Sequence, residues 1–216
     1  MSILRPELTE MPQQIAALPT FRGYPVPWFV EWIEGEPEFR AMDPRKWVRA
    51  VQEKLCWICG RRLGSYLTFT IGPMCGITRT SSEPPGHLDC ARWSARNCPF
   101  LAKPKMERRE HEKFMAEEEA RSPGGVSIKR NPGVTLLWIT RSYEIWRPAP
   151  GEMLIHVGPP YAVEWWREGR EATREEVEES VRTGLPLLEP MAVEEGEGAI
   201  KALRVSTEQL EELYPA

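Results

Sequence analysis

Residues 24–42, an aromatic and β-branched run followed by a turn and a second short run, predict a β-hairpin. Trp28, Val30 and Trp32 alternate with Phe29, Glu31 and Ile33, and Glu34-Gly35-Glu36-Pro37 turns the chain into a return strand, Phe39–Met42. At Asp43-Pro44 the pattern changes. Asp suits a helix N-cap, and Pro at the first helical position gives up only an N–H that would have no partner. Trp47, Val48, Val51 and Leu55 then share one face of a short helix that delivers the chain to Cys56. Alternation returns over 65–71, with Leu67, Phe69 and Ile71 on one face, and Gly72-Pro73-Met74-Cys75 reads as a loop. A helix opens within Glu83–Cys90 and runs to about Asn97, before Pro99 stops it. Residues 104–121 are polar nearly all round, as in a solvated connector helix, and Ser122-Pro123-Gly124-Gly125 marks a boundary.

Beyond it, Val126–Lys129, Val134–Trp146 (bent near Arg141-Ser142), Met153–Val157 and Tyr161–Trp166 predict a small mixed sheet. Thr173 with Glu176 is a capping-box pattern for a helix that Gly184 stops. Two shorter helices are expected over 191–203 and 207–213, the second opened by Ser206. Pro6, Pro12 and Pro19 make residues 1–20 an extended arm. The expected organisation is therefore an α+β protein: an arm (1–20), a cysteine-containing basic lobe with its connector (21–121), and an acidic α/β lobe with C-terminal helices (122–216).

Composition sharpens this picture in two places. Charged residues are 28% and hydrophobic ones 41% of 216, the balance of a folded soluble chain. No apolar run approaches the roughly 18 residues of a membrane span. The first ten residues lack the order of an export signal, so a cytoplasmic location without membrane partners is expected. The net charge of −4 conceals segregation. Residues 44–110 carry thirteen basic and five acidic side chains, whereas 111–216 carry twelve and twenty. All five cysteines fall within that basic stretch.

Cys56-Trp57-Ile58-Cys59-Gly60 has the form of a zinc knuckle, two thiolates that reach one ion from a tight turn with a Gly folding the backbone beneath them. His87 and Cys90, three apart at a helix start, share a face and can meet at one metal. Cys98, eight residues further and about 12 Å along the axis, cannot easily join them. The expected ligands of a tetrahedral structural Zn2+ are thus Cys56, Cys59, His87 and Cys90, with Cys75 as the alternative to His87 and Cys98 left as packing. Disulfides are disfavoured by the odd cysteine number and a reducing compartment, and the spacing matches no common iron–sulfur pattern.

A knuckle, a hairpin and a helix whose first turn supplies two ligands resemble the treble-clef zinc fold. Cys56-Trp57-Ile58-Cys59-Gly60, Ile71-Gly72-Pro73-Met74-Cys75, Glu83-Pro84-Pro85-Gly86-His87 and Cys98-Pro99-Phe100 together are similar to a group of bacterial and phage-borne proteins, as is the stretch from Trp165 to Thr173. That resemblance covers most of residues 20–190 and implies a phage-related context without an activity. The treble clef also underlies HNH nucleases, which makes metal-dependent DNA cleavage the enzymatic alternative. Such a site needs further His or Asn residues, yet the chain has only His87, His111 and His156, and none between Cys59 and His87.

No phosphate loop or nucleophile elbow is present. The expected function is therefore a zinc-stabilised, non-enzymatic binding or regulatory accessory protein. Arg61, Arg62, Arg92 and Arg96 can flank the metal and contact nucleic acid or a protein partner. Trp57 and Trp93 are either stacking surfaces for bases or packing beneath the zinc.

Overall fold

The computed structural model describes residues 8, 10–102, 132–148 and 152–216. The expected connector helix, the Ser122–Gly125 boundary, the strand at Val126–Lys129 and His111 lie outside the described residues.

The N-terminal segment forms a single helical turn, α1 (Gln13–Ala16), and a two-stranded ribbon, β1 (Thr20–Phe21) with β2 (Tyr24–Pro25). The expected arm is thus folded here, because Ile15 of α1 is almost fully buried. Met11, Ile15 and Leu18 stand at i, i+4 and i+7, an apolar stripe that the prolines mask. The predicted hairpin is present as β3 (Val30–Ile33) and β4 (Glu36–Met42). Asp43 caps α2 (Pro44–Glu53) by accepting from the Arg45 backbone N–H.

After the knuckle come β5 (Leu67–Ile71), α3 (Pro73–Thr78), β6 (Thr80–Ser81), α4 (Leu88–Asn97) and α5 (Pro99–Ala102). Residues 73–78 are helical where a loop was expected. Gly72 is the N-cap, Pro73 occupies the first helical position, and Met74 and Ile77 bury one face in the core. The second half supplies β7 (Thr135–Thr140), β8 (Tyr143–Trp146), β9 (Leu154–Val157), β10 (Ala162–Arg167) and β11 (Arg170–Glu171). The predicted bend near Arg141-Ser142 is the β7–β8 turn. The Thr173–Glu176 capping box opens α6 (Arg174–Gly184). The α-helix ends at Gly184 as expected, although Gly184 keeps helical backbone and the chain runs on into a 3-10 turn, Leu185–Leu187. In α7 (Glu189–Glu195) and α8 (Glu197–Glu211) the break falls at Gly196, whose φ of +100° suits glycine, and Ser206 lies inside α8.

A four-stranded sheet, ordered β11-β10-β7-β5, forms the centre, with a three-stranded sheet β6-β9-β8 beside it. Among the described residues every strand pair is antiparallel, so the sheet expected to be mixed is not. β5 pairs with β7 in the register Phe69↔Trp138 and Ile71↔Leu136, which joins residues from either side of the 121/122 boundary in one sheet. Both faces of this sheet are covered. Phe69, Ile71, Leu136, Trp138 and Trp165 point into a main core shared with Met74 and Ile77 of α3, Val177 and Val181 of α6, and Leu210 of α8. Leu137 and Trp166 point the other way, into a second core with Ile15, Cys56, Cys59, Cys90 and Ala91. All six residues of β7 are buried, as its unbroken run Thr-Leu-Leu-Trp-Ile-Thr requires of a strand covered on two sides.

Candidate metal centre

Three local structures bring the ligands together. α2 ends at Lys54 in a left-handed conformation, and Leu55 bridges to Arg62 across the knuckle. Within it the Cys56 N–H donates to the Arg61 carbonyl (2.7 Å) and the Gly60 N–H to the Cys56 carbonyl (2.8 Å). Gly60 has φ +71°, and a Cβ there would lie 2.6 Å from the Trp28 ring, so both conformation and space demand glycine. The segment before α4 is fixed to the sheet by reciprocal backbone bonds between Thr68 and Gly86 (3.0 and 2.8 Å). Gly86 lies beside the knuckle, where a Cβ would meet Ile58 Cδ1 at 3.3 Å and Cys56 Sγ at 3.4 Å, the latter an ordinary contact distance. His87 is the N-cap of α4, and Cys90 follows in its first turn.

The ligand atoms of Cys56, Cys59, His87 and Cys90 all lie within 4.8 Å of one another, and all five cysteines of the chain are free thiols. His87 Nδ1 is 3.4 Å from Cys59 Sγ and 3.8 Å from Cys90 Sγ. A tetrahedral ion with metal–sulfur bonds of about 2.3 Å and metal–nitrogen bonds of about 2.0 Å separates S and N by about 3.5 Å. The donor set therefore fits such an ion. His87 Nε2 faces the Arg62 carbonyl at 3.0 Å. Donating its N–H there leaves the Nδ1 lone pair directed at the sulfurs, the arrangement that orients a metal-binding imidazole.

The sulfurs have their own donors. The backbone N–H groups of Cys59 and His87 each donate to Cys56 Sγ at 3.4 Å. The Gln14 carboxamide donates to Cys90 Sγ at 3.6 Å. Cys56, Cys59 and Cys90 are buried under Ile15, Ile58, Ala95 and Trp166, with Met11, Leu18, Leu63 and Trp93 at the edge. Without a metal, hydrogen bonds from the Cys59 and Cys90 thiols outweigh burial and bring the Cys56 pKa down to about 3. Cys90 is pushed upward, first by its hydrogen bond to Cys56 and then by Cys59 and burial. His87 is raised, chiefly by its hydrogen bond with Cys59. A cation held here would replace the protons that the thiols and imidazole share.

Other sequence candidates fall elsewhere. Cys75 lies in α3 and packs against the main core, not the cluster; burial pushes its thiol pKa up. Cys98, at the C-cap of α4, is likewise raised by burial and stands outside the ligand set. Arg61 and Arg62 are exposed on the knuckle. Arg92 bonds Glu164 of β10 (Nε to Oε1, 3.0 Å), and Arg96 pairs with Glu10 while lying over the Trp166 ring. These two cations therefore already serve the fold. Trp57 is packing: it stacks on Phe29 (centroids 5.0 Å, 11°) and meets Trp28 edge-on. Trp93 is half-buried at the edge of the cluster core. His156 is exposed on β9, opposite Thr80 and Glu144.

Sequence reasoning missed Gln14. A pair of glutamines, Gln13-Gln14, between Pro12 and Pro19 carries no motif, and only the Met11–Ile15–Leu18 stripe signals that its segment packs at all. Searches of protein-family models, of curated proteins and of solved structures return no match to this chain.

Proposed function

We propose that this chain is a zinc-stabilised, non-enzymatic binding protein, a regulatory accessory of phage or prophage type. In this reading Cys56, Cys59, His87 and Cys90 hold a structural Zn2+ in a treble-clef-like lobe, and the surface beside the knuckle contacts the partner. The observation that carries it is a converging set of four protein donors, three buried thiols and the half-buried His87, with Cys56 Sγ, Cys90 Sγ and His87 Nε2 each hydrogen-bonded from outside the set or from its backbone. Four protein ligands close a tetrahedral ion to substrate, whereas a catalytic zinc keeps a position open. When bound, the ion would supply folding free energy by cross-linking the knuckle to α4.

Around it the chain's own residues divide the work. Gly60 gives the knuckle its left-handed turn beneath Trp28, the Arg62 carbonyl orients His87, and the cluster face of the central sheet excludes water. Arg61 and Arg62 remain as the cations offered outward, to a nucleic acid or an acidic protein surface. Incubating plasmid DNA with the zinc-loaded protein and Mg2+ or Mn2+ tests the reading against an HNH-like nuclease. Intact plasmid is expected, together with salt-sensitive retention of nucleic acid or capture of a protein partner. Cleavage abolished by His87→Ala in a protein that stays folded would defeat it.

A further inference from the structure

One end of the central sheet carries a cluster that the metal centre does not use. Tyr66 immediately precedes β5, Arg141 lies in the β7–β8 turn, and Tyr161 immediately precedes β10. The two tyrosine rings lie 4.8 Å apart, inclined by 53°. The Arg141 guanidinium stands over both, 4.9 Å from the centre of Tyr66 and 5.2 Å from that of Tyr161, and donates to the Tyr66 hydroxyl at 2.6 Å. Despite these contacts the side chains stay in water: Tyr161 is 63% exposed and Tyr66 40%. A shallow cleft of about 260 Å³ adjoins them, lined by Thr140, Ser142, Pro159 and Pro160 besides Arg141 and Tyr161.

The support is rigid. The Tyr161 N–H donates to the Ile139 carbonyl (2.7 Å), Thr140 Oγ1 to the Pro159 carbonyl (2.7 Å), and the Gly158 N–H to the Ser142 carbonyl (3.0 Å). Gly158 itself has no room for a side chain against Ser142. Tyr66 follows the exposed knuckle residues Arg61 and Arg62 by only five and four positions.

We propose that Tyr66, Arg141 and Tyr161 form a stacking platform for single-stranded nucleic acid, with Arg61 and Arg62 holding the adjoining phosphates. This rests on the binding reading above and names its partner. Arg141 covers one face of each ring, and the exposed remainder of Tyr66 and Tyr161 offers stacking surface to a base while the guanidinium offers charge to the backbone, the two ingredients of sequence-tolerant single-strand binding. Pre-ordering the rings by Arg141 removes part of the cost of immobilising them on binding.

Fluorescence anisotropy of the zinc-loaded full chain with a labelled oligothymidine of about 15 nucleotides tests this. Wild type is expected to bind, and to weaken as salt rises. Tyr161→Ala should weaken binding about tenfold, Tyr161→Phe should retain it, and Arg61→Ala/Arg62→Ala should flatten the salt dependence. Circular dichroism and zinc content confirm that each variant is folded. Tyr161→Ala and Arg141→Ala binding as tightly as wild type would overturn the platform. If the knuckle double variant still weakens binding in that case, the basic-surface reading survives alone. Wild type that holds only duplex DNA, or only a protein partner, also overturns the platform and leaves the binding reading standing. Cleavage of plasmid would remove the reading itself.

Discussion

Single side chains around the candidate metal centre make separable contributions. Gln14 is the clearest, because it touches the site through one N–H···S bond while Ile15 beside it supplies the packing. Gln14→Leu keeps the bulk and removes the donor. Transfer of zinc to a chromophoric chelator should then be about tenfold faster, the usual scale for an outer partner of a metal ligand, with circular dichroism unchanged. A rate equal to wild type would reduce Gln14 to surface filling.

The tryptophans give a second residue-scale contrast. Trp138 donates its indole N–H to the Gly158 carbonyl at 2.9 Å, whereas Trp57 is buried with its indole N–H unpartnered. Trp138→Phe orphans a buried acceptor, and Trp57→Phe relieves a buried donor. Denaturant unfolding should find the first about 1–3 kcal/mol more costly than the second; equal losses would contradict the assignment. Both ligand pairs were legible in the sequence because each is local: Cys-x-x-Cys and His-x-x-Cys fix their own geometry within one turn. The exclusion of Cys75 was not. It depends on α3 packing into the core on one face of the β5–β7 sheet while the cluster occupies the other, and that pairing joins strands more than sixty residues apart.

At the scale of elements, legibility follows the range of the signal. The hairpin, α2 and α6 announce themselves through alternation or caps within a few residues. α6 illustrates how much a cap does. Thr173 Oγ1 accepts from the Glu176 N–H while the Glu176 carboxylate accepts from the Thr173 N–H (2.9 Å) and from Arg170 (2.6 Å to Nη2). Thr173→Ala should cost about 1 kcal/mol in denaturant unfolding.

The same network sets an acid limit. The Arg170 hydrogen bonds, helped by the Thr173 N–H, hold the Glu176 pKa down at about 2 against a usual 4.5. A lowered folded-state value means that the stabilisation is complete above 4.5 and is lost as pH falls from there through 2. Acid titration of the folding midpoint should show that loss in wild type and less of it in Glu176→Gln; parallel curves would sink the argument. α1 and α3 were harder to read because both are short, α1 following Pro12 and α3 opening on Gly72-Pro73 with Gly76 inside it. Only burial of Ile15, Met74 and Ile77 against distant strands makes their helical turns worthwhile.

For the whole molecule, the central sheet reorganises the expected picture. A division at 121/122 follows composition and charge, but β5 from the basic stretch pairs with β7 from the acidic one, and one core serves both. The charge segregation survives partly as internal pairing, Arg92 with Glu164 and Arg96 with Glu10. Among the described residues no helix is long and apolar enough to cross a membrane. The cluster then closes one side of the sheet: the knuckle, α4 and α1 meet over Leu137 and Trp166 around the sulfurs.

If an ion is what holds that layer together, removing it should loosen the layer as a unit, with residues 10–18 becoming susceptible to protease when a chelator is added. The central claim is the metal itself, and elemental analysis of protein purified without added metal tests it most directly. One equivalent of zinc per chain, lost in Cys90→Ala, is the expected result. Less than half an equivalent, or a brown iron-containing protein, would contradict it.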